Sequence, residues 1–234
     1  MKKIIILLSL CALFFGCTKD WGSPTTKNYP INGSFTGLDV SNAFQVTMSD
    51  EVTDVVVTVG ELAHDRVIVK VINGELQVGF KPNTRYNGTA KAVIPATANL
   101  RDLDLSGASS FVGELSGHDV GIDLSGASHF NGSVNAEEID LDLSGASGAD
   151  IHGSCLEKMD IDLSGASTLK AAALHVPSVI GEMSGASNAE VTICTLLNVE
   201  LSGASTLVYD LISSGCHPVI DCPTSGSSTV RPRR

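Results

Sequence analysis

The sequence predicts an all-β chain: a β-helix, or solenoid, of repeats about 18 to 20 residues long, preceded by an irregular β region. Three observations predict it. The tetrapeptide Ser-Gly-Ala-Ser begins at Ser106, Ser125, Ser144, Ser164, Ser184 and Ser202, the fixed short period of a stacked repeat. The residues before each copy alternate acidic and apolar, as in DLDLSGAS at Asp102–Ser109 and again at Asp140–Ser147, which is the period of a strand. No stretch sustains a capped helical period, so helix should be scarce.

The chain begins with a basic MKK, an apolar IIILLSLCALFF and a small residue, Gly16, directly before Cys17. This order resembles a bacterial lipoprotein signal peptide over residues 1–16, with cleavage before Cys17 and acyl chains on that residue. The alternative is an ordinary secretory signal cut elsewhere. More than one acyl chain anchors a protein durably without a spanning segment, and no other apolar run approaches the roughly 20 residues that a spanning helix needs. Residues 17–30, lipidated Cys17 followed by the polar TKDWGSPTTKNY and Pro30, read as a tether.

Residues 31–100 form the N-terminal β region, with FQVTM, DVVVTV, VIVKVI, ELQVGF and KAVIP as strand-length pieces. Asn73-Gly74 between two of them is the preferred dipeptide of a type I′ hairpin turn. Residues 101–230 form the β-helical repeat region, SGSS at Ser225 reading as a seventh turn, and 31–230 is expected to be one continuous domain.

Alternation assigns faces. Leu105, Leu124, Leu143, Leu163, Met183 and Leu201 fall in an inward column, joined by Leu103, Ile122, Leu141, Ile161 and Val199. Ala108 and Phe111 are expected to return inward after the bend, where glycine recurs because a Cβ would oppose the conformation. One coil cannot bury its apolar face; six or seven in register can, and identical letters keep the register. Coils lie about 4.8 Å apart, so Cys155 and Cys194, two coils apart at about 9.6 Å, exceed the roughly 7 Å reach of a disulfide. An exported protein forms disulfides, and Cys216 with Cys222 is the candidate pair. The alternative is two free thiols.

Chemistry is sparse. A net charge of −11 argues against nucleic acid, whose binding needs Lys and Arg to displace counterions. The acidic column Asp104, Asp123, Asp142, Asp162, Glu182 and Glu200 offers hard oxygen ligands suited to Ca2+; the alternative is a solvated face that keeps the solenoid soluble. The serines at Ser106, Ser125, Ser144, Ser164, Ser184 and Ser202 are six equivalents with no G-x-S-x-G elbow, and a nucleophile needs a base and an oxyanion site. His64, His118, His129, His152, His175 and His217 share no column and no zinc spacing, and are expected to be isolated and exposed. No catalytic residue, metal ligand set or other cofactor is assigned.

The segments FTGLDVSNAFQVTM, ELQVGF, KAVIP and NLRDLDLSGAS, followed by the repeated SGAS units, resemble the family described as putative auto-transporter adhesin, head GIN domain, over Ile31 to Val230. The resemblance implies a secreted or surface-attached β-solenoid, often on a lipoprotein, with no established activity. Together these readings give the expected function: a non-enzymatic, membrane-anchored protein of the cell envelope, an outer-membrane lipoprotein. It would bind a glycan or protein ligand, adhesin-like, through the faces of its solenoid, or serve a structural role. A glycan-active enzyme and a periplasmic accessory partner of an envelope system are the alternatives.

Overall fold

The computed structural model describes residues 19–233; the signal peptide expected over residues 1–16 and Cys17 lie outside the described residues. The N-terminal region holds β1 (Pro24–Tyr29), β2 (Gly37–Val40), β3 (Phe44–Ser49), β4 (Val55–Gly60), a short 3-10 helix at Glu61–Arg66, β5 (Val67–Ile72), β6 (Glu75–Phe80) and β7 (Ala90–Pro95). The repeats supply β8 (Asp102–Leu105), β9 (Ser110–Leu124), β10 (His129–Leu143), β11 (Gly148–Leu163), β12 (Thr168–His175), β13 (Ser178–Met183), β14 (Asn188–Ile193), β15 (Leu196–Leu201), β16 (Thr206–Leu211), β17 (Val219–Ile220) and β18 (Thr229–Pro232). The 3-10 helix is the only helix among the described residues.

Each coil has two walls that meet at the Ser-Gly-Ala-Ser corner. The wall entering the corner stacks β6, β2, β8, the second halves of β9, β10 and β11, then β13, β15 and β17, all in parallel. The wall leaving it stacks β7, β3, the first halves of β9, β10 and β11, then β12, β14, β16 and β18. This is a β-solenoid of about seven turns.

The first end of the stack is closed by antiparallel strands, β5 on β6 and β4 on β7, with β1 outside β4. Asn73 and Gly74 join β5 to β6 with φ of 52° and 84°, the positive pair that a type I′ turn requires. The last end is blunted differently. β17 is two residues long between Pro218 and Pro223, and β18 ends on Arg231 and Pro232, devices that discourage further strand pairing.

Both walls run unbroken across residue 100, since β2 pairs with β8 and β3 with β9. Val40-Ser41-Asn42-Ala43-Phe44 is a degenerate copy of the corner. The Ser106 amide donates to Val40 O at 2.9 Å, and Asn42 and Ala43 take φ of 62° and 61°. The irregular region is therefore the start and cap of the solenoid.

The inward columns form as the alternation requires. Leu105, Leu124, Leu143, Leu163, Met183 and Leu201 are each at most 1 % exposed. On the other wall Phe111, Phe130, Ala149, Leu169, Ala189 and Leu207 form a second buried file, in which the Phe111 and Phe130 rings stack at 5.7 Å.

The corner itself departs from expectation. Ala108 and its equivalents are exposed, and the second serine of each copy, Ser109, Ser128, Ser147, Ser167, Ser187 and Ser205, is buried. The alternation runs straight through the bend: Leu105, Ser109 and Phe111 are buried, and of that parity only Gly107, with φ of 81°, is turned outward. Burial of a hydroxyl requires a partner: Ser109, Ser128, Ser187 and Ser205 each donate to the carbonyl of the first serine of their own copy at 2.8 to 3.0 Å. The hydroxyls of Ser147 and Ser167 have no partner.

Two further expectations are corrected. Residues 19–29 are not a loose tether, because β1 pairs along its whole length with β4 and Trp21 is buried with its indole N–H donating to Arg85 O at 3.2 Å. A large aromatic ring gains too much from burial to remain in solvent when a partner surface is within reach. Cys216 is bonded to Cys194 and not to Cys222, with Cα atoms 4.8 Å apart. That distance is one coil spacing: Cys216 lies in the extra segment between β16 and β17, directly over the far corner that holds Cys194. Cys222 is a free, half-buried thiol directed at Leu197 O. Cys155 is a buried free thiol that donates to Glu137 O and Lys158 O.

Candidate functional site

The outer face of the wall entering the corner carries the acidic residues. Asp104 lies opposite Asp123, Asp123 opposite Asp142, Asp142 opposite Asp162, Asp162 opposite Glu182 and Glu182 opposite Glu200. All six are exposed. Asp39 of β2 extends the file by one coil. Two residues earlier runs a second, broken file of Asp102, Asp140 and Asp160, in which Gly121 occupies the missing place. Around that glycine the face dips into a shallow depression of about 240 Å3 lined by Asp102, Asp104, Asp123, Asp140 and Asp142 with Glu75.

Stacked carboxylates repel one another. Burial between neighbouring coils and then the charge of Glu75 raise Asp39 above the ordinary carboxylate value, against the opposing pull of Lys70. Burial and then Asp39 and Asp123 raise Asp104, and burial and then Asp162 and Asp123 raise Asp142. A raised folded-state value means that these groups favour folding when protonated. Their contribution is present below the unfolded value of 3.8 and is lost as pH rises through the raised value. Asp104→Asn is therefore expected to raise the melting midpoint at pH 7 and to have little effect at a pH below the unfolded value. A midpoint at pH 7 that falls on this substitution would show that the file is stabilising. Among the described residues no three His, Cys, Asp or Glu side chains converge as a metal-ligand set.

The first serines of the corner are half-buried and equivalent from copy to copy, with no base beside them. Five of the six histidines are exposed. His118 bridges two carboxylates, Asp119 at 2.9 Å and Glu137 at 3.2 Å, and the hydrogen bond to Asp119 with both charges raises its pKa. His64 departs from expectation: it is buried and joins β1 to the 3-10 helix, with Tyr29 Oη 2.9 Å from Nδ1 and Thr25 O 3.1 Å from Nε2. Its neighbours require the ring as a strut.

A second concavity was not legible in the sequence. At the capped end, residues 19–24, β4, β7 and the loop before β7 enclose a cleft of about 570 Å3. Trp21 and Tyr86 form its aromatic part, with ring centroids 5.8 Å apart, and Tyr86 continues through Phe80 to Phe44 in the core at successive separations of 4.9 Å. Tyr86 Oη accepts the Gly60 amide at 2.8 Å. Lys19 and Lys91 bring ammonium groups to the lining, that of Lys19 lying 4.0 Å from the Trp21 ring centroid, within cation–π range. The lone tryptophan among polar residues was the available signal.

Comparison with known proteins places this architecture. The family model described as putative auto-transporter adhesin, head GIN domain, matches residues 34–210. Among solved structures, a putative adhesin from Bacteroides fragilis NCTC 9343 is similar with a TM-score of 0.76 at 14% identity, over 90% of this chain and 97% of that one. A putative adhesin from Parabacteroides merdae ATCC 43184 gives 0.68 at 17% identity, over 91% and 97%. A putative lipid binding protein from Parabacteroides distasonis ATCC 8503 gives 0.65 at 14%, over 91% and 98%. At these identities the likeness is one of fold. No curated protein matches the sequence significantly. The corner repeat, the degenerate first copy at Ser41 and the family match across both make this chain a member of the putative auto-transporter adhesin, head GIN domain family.

Proposed function

We propose that the protein is a non-enzymatic, lipid-anchored component of the cell envelope, an outer-membrane lipoprotein that makes adhesin-like contacts with a glycan or protein ligand through the faces of its solenoid. The observation that carries this reading is the register: six coils present a carboxylate at the same place, four aspartates followed by two glutamates. Such a surface suits extended, repeated contact. Acid–base catalysis needs two groups placed around a bound substrate in environments that separate their pKa values, and the acidic file is a row of exposed carboxylates on a shallow face. The family to which the chain belongs agrees with an envelope location, and the Gly16-Cys17 junction supports acylation there.

The test has two arms. Cys17→Ser should move the protein out of the membrane fraction; continued anchoring contradicts the lipid assignment. On an array of glycans and matrix proteins, binding should fall in steps as Asp123→Asn, Asp142→Asn and Asp162→Asn are combined, because a repeated surface loses contact by increments. Turnover of any arrayed glycan would replace the binding reading with the enzyme.

A further inference from the structure

We propose that the cleft at the capped end is a binding site for the phosphate of an anionic lipid headgroup, and that this end of the solenoid faces the membrane. Three observations bear on it. The first is chemical. The cleft combines two ammonium groups, Lys19 and Lys91, with an aromatic part built by Trp21 and Tyr86 and with the polar side chains of Asn87 and Thr89. The polar atoms of the two aromatic rings are already used inside the protein, the indole N–H on Arg85 O and Tyr86 Oη on the Gly60 amide. The lining carboxylate, Asp20, accepts the Gly22 amide at 2.9 Å. The lysines, with Asn87 and Thr89 beside them, are left to meet a ligand, and both lysines are exposed. Ammonium groups beside an aromatic surface suit a phosphate carried on an apolar body.

The second observation is the distribution of charge along the stack. From residue 92 to 222 the chain holds 18 Asp and Glu against three Lys and Arg, Arg101, Lys158 and Lys170. From 19 to 91 it holds eight acidic and seven basic residues. Residues 223–234, at the other end of the stack, hold Arg231, Arg233 and Arg234 and no acid, so an anionic bilayer repels the body of the solenoid and tolerates either end; the path of the chain decides between them.

The third is the path of the chain. Trp21 and β1 fix residues 21–29 against the cap, so the polypeptide arrives at the cleft only two residues after Cys17. Two residues span at most about 7 Å. With acyl chains on Cys17, the cleft lies at headgroup depth. This last point rests on the lipid-anchor reading above; the cleft chemistry and the charge distribution do not.

The experiment removes the anchor so that the two readings separate. The mature chain, residues 17–234 carrying Cys17→Ser, keeps every described residue. Trp21 is the only tryptophan in the chain, so its emission reports the cleft. It is titrated with phosphatidylcholine vesicles with and without phosphatidylglycerol, each carrying a headgroup-attached quencher. Quenching is expected with the phosphatidylglycerol vesicles, with competition by millimolar glycerol 3-phosphate. K19Q/K91Q should weaken vesicle binding about 30-fold, the combined effect of two basic contacts near an anionic surface, without moving the melting midpoint. No quenching by the anionic vesicles, or equal quenching of the double variant, overturns the proposal. Saturation by inorganic phosphate without vesicle binding also overturns it, since the cleft would then hold a free anion and not a membrane. Failure of the anchor assignment appears elsewhere, as retention of Cys17→Ser in the membrane fraction.

Discussion

Cys216→Ser lowers the free energy of unfolding by about 3 kcal/mol, the value expected for opening a loop of this length, and Cys222→Ser changes it by less than about 1 kcal/mol, as ordinary substitutions of a half-buried residue do. The bond closes 22 residues of chain between Cys194 and Cys216. It ties the extra segment between β16 and β17 to the coil beneath, where backbone pairing is sparse: β17 pairs with β15 at only two positions. Without the bond the unfolded chain regains its freedom and the last coil keeps only those pairings and the β16–β18 ladder. Urea denaturation of the two single variants under oxidising conditions measures both. Equal losses, or a larger loss in Cys222→Ser, would place the bond elsewhere.

The second large effect is at the corner. Gly165→Ala is expected to cost about 3 kcal/mol or more, because two penalties coincide. Gly165 has φ of 72°, and a Cβ there would stand 2.4 Å from Gly145 O and 3.1 Å from Gly145 N. Both atoms are backbone of the coil below, held by the Ala166 amide donating to Gly145 O at 2.7 Å, so neither can withdraw without breaking the stack. Gly74→Ala is the control. Its φ is 84° with nothing within 4 Å of the added atom, so only the conformational penalty of about 1 kcal/mol applies. Urea midpoints separate the two, and equal losses at both positions would show that coil-to-coil contact at the corner contributes nothing.

What was legible in the sequence was whatever the repeat spelled out. Leu105 and its successors had to point inward because alternating acids could not, and the acidic file follows from the same alternation. The second file, Asp102, Asp140 and Asp160, needed only one more step back along the strand. Turning Ala108 inward failed because it set apolar character above alternation: counting straight from Leu105 reaches Ser109 and Phe111, and the hydroxyl of Ser109 is satisfied inside by Ser106 O at 2.8 Å. The first corner was hidden by substitution. Asp39-Val40-Ser41-Asn42 matches Asp104-Leu105-Ser106-Gly107 place for place, but asparagine, which also tolerates a left-handed backbone, stands where glycine does elsewhere. The disulfide followed from the coil spacing that had separated Cys155 from Cys194. Applied to Cys194 and Cys216, 22 residues apart, it gives neighbouring coils and a bridgeable distance, whereas closeness in sequence favoured the wrong partner. Tertiary contacts with no period, those of Trp21, Tyr86 and His64, left no pattern to read.

The central claim is that successive corners stand one above another at strand spacing. Spin labels placed in pairs on the exposed corner alanines, in a Cys155→Ser, Cys222→Ser background, measure it directly. Ala108 and Ala166 are three coils apart and Ala108 and Ala204 five, so the second pair should be about 10 Å longer than the first, with a narrow distribution for each, at about 4.8 Å per coil. Distances that fail to grow with the number of intervening corners would contradict the stack and everything built upon it.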